Sequence, residues 1–337
     1  MKQNFHVGIM GNLFSGKTTL MRALARDPYK RDLETLLDGA EIHAFSERVD
    51  KGSLIDECLA LFYRDRVANI FPTELAFLHM RTLQQREIRH LMTRESARGV
   101  IIVEDRPFVD GPEVFVKRMI ESGEMPAAHA KLYRTLFHQT LRNEHIRLPD
   151  LTVYLRTEPD VLERRRAKRA AEGDDYAATI SLDYLREIHE SYESVAANWK
   201  RTLLAYQEHA IVPPDADLIT LPAEIDMLEH PDYVHVAAGT IREKVRRMIL
   251  GTGAEGYMAC AAAIRDMEKH VSDVDRSRAG DPLKPSYVPL RKAATGRTVA
   301  IIGAGPAGLA ASWYVARHGH AVTLFDRSAT AGPQGPR

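Results

Sequence analysis

The sequence predicts an α/β fold, a five-stranded parallel sheet flanked by helices and followed by a short C-terminal βαβ-like fragment. Three observations carry that expectation. Short β-rich runs alternate with longer helical patterns over the first 250 residues, as a parallel sheet with crossover helices requires. A GxxxxGK[ST] loop lies between the first such run and the first helix, and a GxGxxG turn opens a second strand, turn, helix and strand pattern after residue 297.

The strand candidates, in order, are FHVGIM (5–10), AEIHAF (40–45), VIIVED (100–105), LTVYLR (151–156) and ADLITL (216–221). Residues 53–96 and 112–147 read as long amphipathic helices, 159–172 as a strongly basic helix and 182–209 as another. From 251 to 297 the character changes to glycines at 251, 253 and 256, a charged helix around 259–274, and a stretch rich in Pro, Gly and Lys/Arg. That stretch reads as a tether between a domain over 1–250 and a fragment over 298–337, and no internal repeat is visible.

A chain of 337 residues with 45% hydrophobic content can bury one full α/β domain and a smaller piece. Lys+Arg and Asp+Glu both total 46, so no global field favours nucleic acid or an anionic membrane, and a phosphate site has to be built locally for a small substrate. Cys58 and Cys260 lack CxxC or Cys/His spacing, which excludes a disulfide framework or thiolate metal site and points to a reducing cytosol. The amino terminus runs straight into strand and glycine loop, and no apolar stretch reaches about 18 residues, so a soluble cytoplasmic protein is expected.

Gly11-Asn12-Leu13-Phe14-Ser15-Gly16-Lys17-Thr18 carries the first chemistry. Glycines let the backbone curl so that N–H groups and a helix N-terminus face phosphate oxygens, Lys17 adds a cation, and the Thr18 hydroxyl can ligate Mg²⁺, with Thr19 following. Such a loop occurs in kinases, GTPases and motor ATPases alike. No base-reading NKxD element is present, and three further charged elements at strand ends and on a helix suit a compact P-loop kinase with a closing lid.

Strand VIIVED ends in Glu104-Asp105-Arg106-Pro107, with Asp110 shortly after, at the sheet edge where doubly wound folds bind ligands. Asp105 can hold Mg²⁺ and Arg106 can neutralise a transferring phosphoryl group. Strand AEIHAF delivers Ser46-Glu47-Arg48 to the same edge, where Glu47 can accept the proton of an attacking hydroxyl; Asp38 and Glu41 are the nearby acids that compete for the role. In PDVLERRRAKRAAEGDD, Arg165 and Arg169 lie four apart on one helix face, with Arg164, Arg166 and Lys168 around them, a face able to close over ATP phosphates.

Taken together, residues 4–250 resemble the deoxynucleoside kinase family. The resemblance is carried by GNLFSGKTTL, FSERV, ALFYRDRVANIFPTELAFLHMRTLQ, VEDRPFVDGPEVF, PDLTVYLRTEPDVLERRRAKRAAEGDD and ISLDYLREIHESYES, six ordered elements. It implies ATP-dependent phosphorylation of a deoxyribonucleoside 5′-hydroxyl, with Glu47 as base beside Arg106, Asp105 and Thr18 at Mg²⁺, and Arg165 and Arg169 as lid arginines. It further implies Tyr63 and Asp174 at the deoxyribose 3′-hydroxyl, Glu74 and Arg81 facing the base, and a homodimer paired through helices.

Departures from the family pattern are Glu74 for the base-reading Gln, Pro107 for Ser, Gly111 where an acid is common, Ala171 at a frequent lid arginine, and a longer stretch from Lys17 to Glu47. An ionised Glu74 only accepts and favours the guanine edge, whereas a protonated one mimics Gln. A related P-loop kinase acting on a nucleotide or other small alcohol, and a non-catalytic binding or assembly module, are the other readings these residues leave open. At the carboxyl end, Gly303, Gly305 and Gly308 with Asp326 resemble the start of an FAD- or NAD(P)-binding domain of the glutamate synthase small-subunit kind. A complete dinucleotide domain needs several more strands, so FAD or NAD(P) binding is not expected of this fragment.

Overall fold

In the computed structural model the first unit is built on β1 (Phe5–Gly11), β2 (Glu41–Phe45), β3 (Val100–Asp105), β4 (Leu151–Arg156) and β5 (Asp217–Pro222). All pairings are parallel, in the order β2-β3-β1-β4-β5. The expected five-stranded parallel sheet is therefore present. Every residue of β1 and β3, and all of β4 except Arg156, is buried, which is why these strands read as nearly unbroken apolar runs: both faces are covered. The edge strands β2 and β5 are only partly buried.

The structure describes residues 4–37, 39–47, 49, 51–94, 98–250, 296–302, 312, 315, 316 and 320–325. Asp38, Arg48, residues 251–295 of the tether, Cys260, Gly303, Gly305, Gly308 and Asp326 lie outside the described residues. The chain divides into two units, Met1–Ala261 and Ala262–Arg337.

The helices are α1 (Lys17–Leu24), α2 (Tyr29–Glu34), α3 (Leu54–Arg64), α4 (Arg66–Thr93), α5 (Lys117–Glu121), α6 (Ala127–Asn143), α7 (Pro159–Ala171), α8 (Asp175–Thr179), α9 (Leu182–Ala197), α10 (Trp199–Tyr206) and α11 (Pro231–Leu250). Alternate strand residues face opposite layers. Ile9, Val103, Val153 and Leu155 pack with Leu20 and Leu24 of α1, Leu33 of α2 and Ile241 and Val245 of α11. Met10 and Tyr154 pack on the other face with Ile70 and Leu78 of α4, Phe137 and Leu141 of α6, Tyr192 of α9 and Leu203 of α10.

The long helical stretches divide where local chemistry stops them. The 53–96 helix parts at Asp65, which leaves helical geometry and accepts a hydrogen bond from Ala68 N at 3.2 Å, capping α4. The 112–147 stretch becomes one turn of π-helix, Gly111–Val116, then α5 and α6, with Gly123 at φ 75° and Pro126 between them. The 182–209 helix parts at Asn198 into α9 and α10. Helices α2, α8 and α11 lie where the sequence pattern indicated none.

In the second unit β6 (Thr298–Ile302) and β7 (Ala321–Phe325) pair in parallel, with Thr298 opposite Ala321 and Ile302 opposite Phe325. The parallel pairing agrees with the βαβ-like reading of this segment.

Candidate active site

The sheet order reverses at β1, and the ends of β1 and β3 form the crevice where ligands of open α/β sheets bind. β1 ends at Gly11, and residues 12–16 turn the chain into α1, placing a helix N-terminus at that crevice. Lys17 is buried in the first turn, and its Nζ donates to Asn12 O at 2.7 Å. Asn12 in turn donates through Nδ2 to Leu185 O at 2.8 Å, tying the loop to α9. Burial, followed by repulsion from Arg106, draws the Lys17 ammonium down to about 8, although Asp105, Asp110 and Glu47 pull the other way.

Thr18 Oγ1 donates to Asp105 Oδ2 at 2.7 Å, joining α1 to the end of β3. Asp105 Oδ1 and Ser15 Oγ are buried with no hydrogen-bond partner among the described residues. A hydroxyl beside an open carboxylate oxygen suits a hard, oxygen-seeking cation such as Mg²⁺, which takes its remaining ligands from water and phosphate.

Arg106 follows β3 with φ 60°, a left-handed conformation that costs a non-glycine residue of order 1–3 kcal/mol. Its surroundings fix it there. The Arg106 backbone N–H donates to Ile9 O at 3.0 Å, Nε lies 2.9 Å from Glu47 Oε2, and Nη1 donates to Asp110 Oδ2 at 3.1 Å and Tyr192 OH at 3.0 Å. Tyr192 OH donates to the same Asp110 oxygen at 2.8 Å, and the guanidinium lies 4.9 Å from the centre of the Phe115 ring. Arg81 of α4 holds the other Glu47 oxygen, Nη2 to Oε1 at 2.8 Å. Burial pushes the Glu47 carboxyl up, but Arg106 and Arg81 together outweigh it, so the net shift is downward and the group is ionised at neutral pH.

Two further features set this arrangement. A Cβ on Gly111 would stand 2.0 Å from Arg81 Nη1, so the missing side chain is what gives the guanidinium room. Below the site, Glu104 Oε1 accepts from Gln84 Nε2 at 3.0 Å and Gln85 Nε2 at 2.6 Å, and Oε2 lies 3.0 Å from His6 Nε2. Gln84 and Gln85 follow Arg81 by three and four residues, so one buried carboxylate fixes the helix face that presents Arg81.

A cavity of about 280 Å³ opens beside these charges. It is lined near the glycine loop by Leu13, Phe14, Arg169 and Asp174, at its centre by Glu47 and Arg106, and along α4 by Glu74, Phe77 and Arg81. Tyr63 also lines it, its ring 5.4 Å from that of Tyr176. Asp174 caps α8 by accepting from Ala177 N at 3.0 Å and pairs with Arg169 Nη2 at 2.6 Å, while the Arg169 guanidinium lies 5.5 Å from the Phe14 ring centre. Burial raises Glu74 to about 7, with Arg81 opposing and Glu47 reinforcing the rise.

The structure thus brings Glu47, Tyr63, Glu74, Arg81, Arg106, Arg169 and Asp174 to one cavity. Arg165 sits elsewhere. Its Nη1 donates to Phe14 O and Ser15 O at 3.2 and 3.3 Å, and its Nη2 to Ala223 O and Ile225 O at 2.8 Å each. It braces the back of the glycine loop against the segment after β5. Sequence reading gave no role to Phe115 and Tyr192, although both lie inside quoted family segments, nor to Tyr176 just after another. It also missed the Gln84 and Gln85 anchor, for which the spacing from Arg81 was an available signal.

Sheet order and glycine loop define a P-loop fold with a carboxylate-lined cavity beside that loop. The chain belongs to the deoxynucleoside kinase family, whose sequence profile matches residues 7–224. It is similar to mitochondrial thymidine kinase 2 of Homo sapiens, 28% identical over 187 residues, which span 55% of this chain and 62% of that protein. The deoxyadenosine kinase structure from M. mycoides with bound dATP shares the fold at a TM-score of 0.50 and 18% identity, covering 72% of this chain and 99% of that one. At the carboxyl end, residues 301–335 match an NAD(P)-binding Rossmann-like domain. The glutamate synthase [NADPH] small chain of Bacillus subtilis is 36% identical over 76 residues, 22% of this chain and 15% of that protein. Among the described residues no helix is long and apolar enough to cross a membrane.

Proposed function

We propose that the chain transfers the γ-phosphoryl group of ATP to the 5′-hydroxyl of a deoxyribonucleoside in nucleotide salvage. One observation carries this reading: Glu47, held between Arg81 and Arg106, lines the same cavity as Leu13 and Phe14 of the glycine loop.

Gly11, Asn12, Ser15, Gly16, Lys17, Thr18 and Thr19 hold the triphosphate through backbone amides, the helix N-terminus and the Lys17 cation. Arg169 approaches from the lid, and Arg165 is assigned to the ATP site through its brace on Phe14 and Ser15. Thr18 and Asp105 would hold Mg²⁺, which when bound neutralises charge on the phosphate oxygens. The ionised Glu47 accepts the 5′-hydroxyl proton as that oxygen bonds to γ-phosphorus, the bond from phosphorus to the β,γ-bridging oxygen breaks, and ADP leaves. Arg106 orients Glu47 and stabilises charge on the moving phosphoryl group. Tyr63 and Asp174 take the 3′-hydroxyl, and Glu74 and Arg81 face the base.

The kinase domain is assigned to 1–250, the linker to 251–297 and a dinucleotide-binding-like segment to 298–337. The family resemblance supports a homodimer paired through helices, and the cysteine usage supports a cytoplasmic location. Transfer of ³²P from [γ-³²P]ATP across the four deoxynucleosides, with ³¹P NMR of the product, tests the function. A 5′-monophosphate is expected from at least one nucleoside, and phosphorylation of none removes the reading.

A further inference from the structure

We propose that the α4 end of the cavity selects guanine, with the Glu74 carboxylate accepting from the N1–H and N2–H₂ donors and Arg81 donating to O6. This inference rests on the deoxynucleoside kinase reading of the same site. With phosphates on the glycine loop and the 5′-hydroxyl at Glu47, the α4 part of the lining, with Thr73, Glu74, Phe77 and Arg81, is left for a base, and Phe115 lines the same cavity.

Glu74 is only 7% exposed, lines the cavity, and has no hydrogen bond or ion pair to another described residue. A carboxylate so buried with no partner is costly unless a ligand supplies donors. Arg81 commits Nη2 to Glu47, while its Nε is buried without a partner. The space beside it depends on Gly111, where a Cβ would collide with Nη1.

An acceptor-only group and a donor-only group form the complement of one base edge. Guanine presents two adjacent donors, N1–H and N2–H₂, and the acceptor O6 beside them. Adenine and cytosine present a single amine next to a ring nitrogen acceptor, so the second Glu74 oxygen would face a lone pair. Thymine offers one donor between two carbonyls.

The charge on Glu74 gives the selection a pH dependence. The groups acting on it are Arg81 on α4 itself, Glu47 after β2, Arg106 after β3, Tyr133 on α6 and Tyr184 on α9. Burial holds its carboxyl at about 7, so the acceptor-only form grows as pH rises from 6 to 8.

The test measures kcat/KM for deoxyguanosine, deoxyinosine, deoxyadenosine, deoxycytidine and thymidine on the full chain, with calorimetric binding of each nucleoside alongside. Deoxyguanosine is expected to lead deoxyadenosine and deoxycytidine by about 5- to 150-fold, the range for one well-made pair of base contacts. Deoxyinosine, lacking N2–H₂, is expected between them, and the deoxyguanosine lead is expected to widen from pH 6 to pH 8. Glu74→Gln, which removes the charge and keeps the shape, is expected to invert the order. A wild-type preference for deoxyadenosine, deoxycytidine or thymidine overturns the guanine assignment and leaves the kinase reading standing. Failure to phosphorylate any nucleoside overturns the kinase reading, and the binding series then decides guanine selection by itself: tightest binding of deoxyguanosine supports it, and tighter binding of another base overturns it.

Discussion

The two halves of the site are built on opposite principles. Around the glycine loop, side chains donate to main-chain carbonyls: Lys17 to Asn12 O, Asn12 to Leu185 O, and Arg165 to four carbonyls. On the acceptor side, charges pair with one another across elements far apart in the chain, with Glu47 after β2, Arg81 on α4, Arg106 and Asp110 after β3 and Tyr192 on α9. The loop side is thus anchored on main-chain oxygens rather than on charge pairs. The acceptor side is a network of charge pairs, and among the described residues it leaves Glu74 without a hydrogen bond or ion pair in the cavity.

That contrast can be broken first at Arg106. Arg106→Met strands Glu47 and Asp110 without their shared cation, and loss of one partner from a buried ionic network costs about 3–5 kcal/mol. Urea unfolding is expected to show that loss, with phosphoryl transfer abolished. A donor-side counterpart, Arg165→Met, unties the glycine loop from the segment after β5. Hydrogen bonds from a charged donor contribute about 1.5–3 kcal/mol, so a smaller drop in unfolding free energy is expected, together with a raised KM for ATP and little change in KM for the nucleoside.

Gly111→Ala makes the complementary test on the acceptor side. Overpacking against Arg81 costs about 1–3 kcal/mol, and the expected signature is a raised nucleoside KM with ATP KM unchanged; an equal rise in both would remove the distinction between the halves. The smallest effect is one of pH. In the proposed reading Lys17 holds phosphate in its protonated form, and burial lowers its ammonium to about 8. The kcat/KM for ATP is therefore expected to fall roughly tenfold per unit above that value, and a flat profile to pH 9.5 contradicts the burial of Lys17.

The same contrast governs what could be read from the chain alone. The phosphate loop is eight consecutive residues whose spacing states its own purpose, and the buried strands declare themselves as apolar runs. Helix breaks at Asp65 and Asn198 were hidden because periodicity continues across them while capping and packing decide where the backbone turns. Glu74 and Arg81 were placed at the base only through family resemblance, since seven-residue spacing on a helix fits an ordinary core face equally well. The reason for Gly111 was not legible at all: it depends on a guanidinium thirty residues away in sequence. Arg165 and Arg169 share a helix face, yet packing gives one to the loop and one to the cavity.

The convergence of glycine loop and acceptor carboxylate on one alcohol oxygen is tested most directly by single-turnover rapid-quench transfer in Glu47→Gln. Removing a general base is expected to slow the chemical step by about 10²–10⁴-fold, with nucleoside affinity changed only a few-fold. Transfer at the parent rate would contradict the assignment of Glu47 as the proton acceptor.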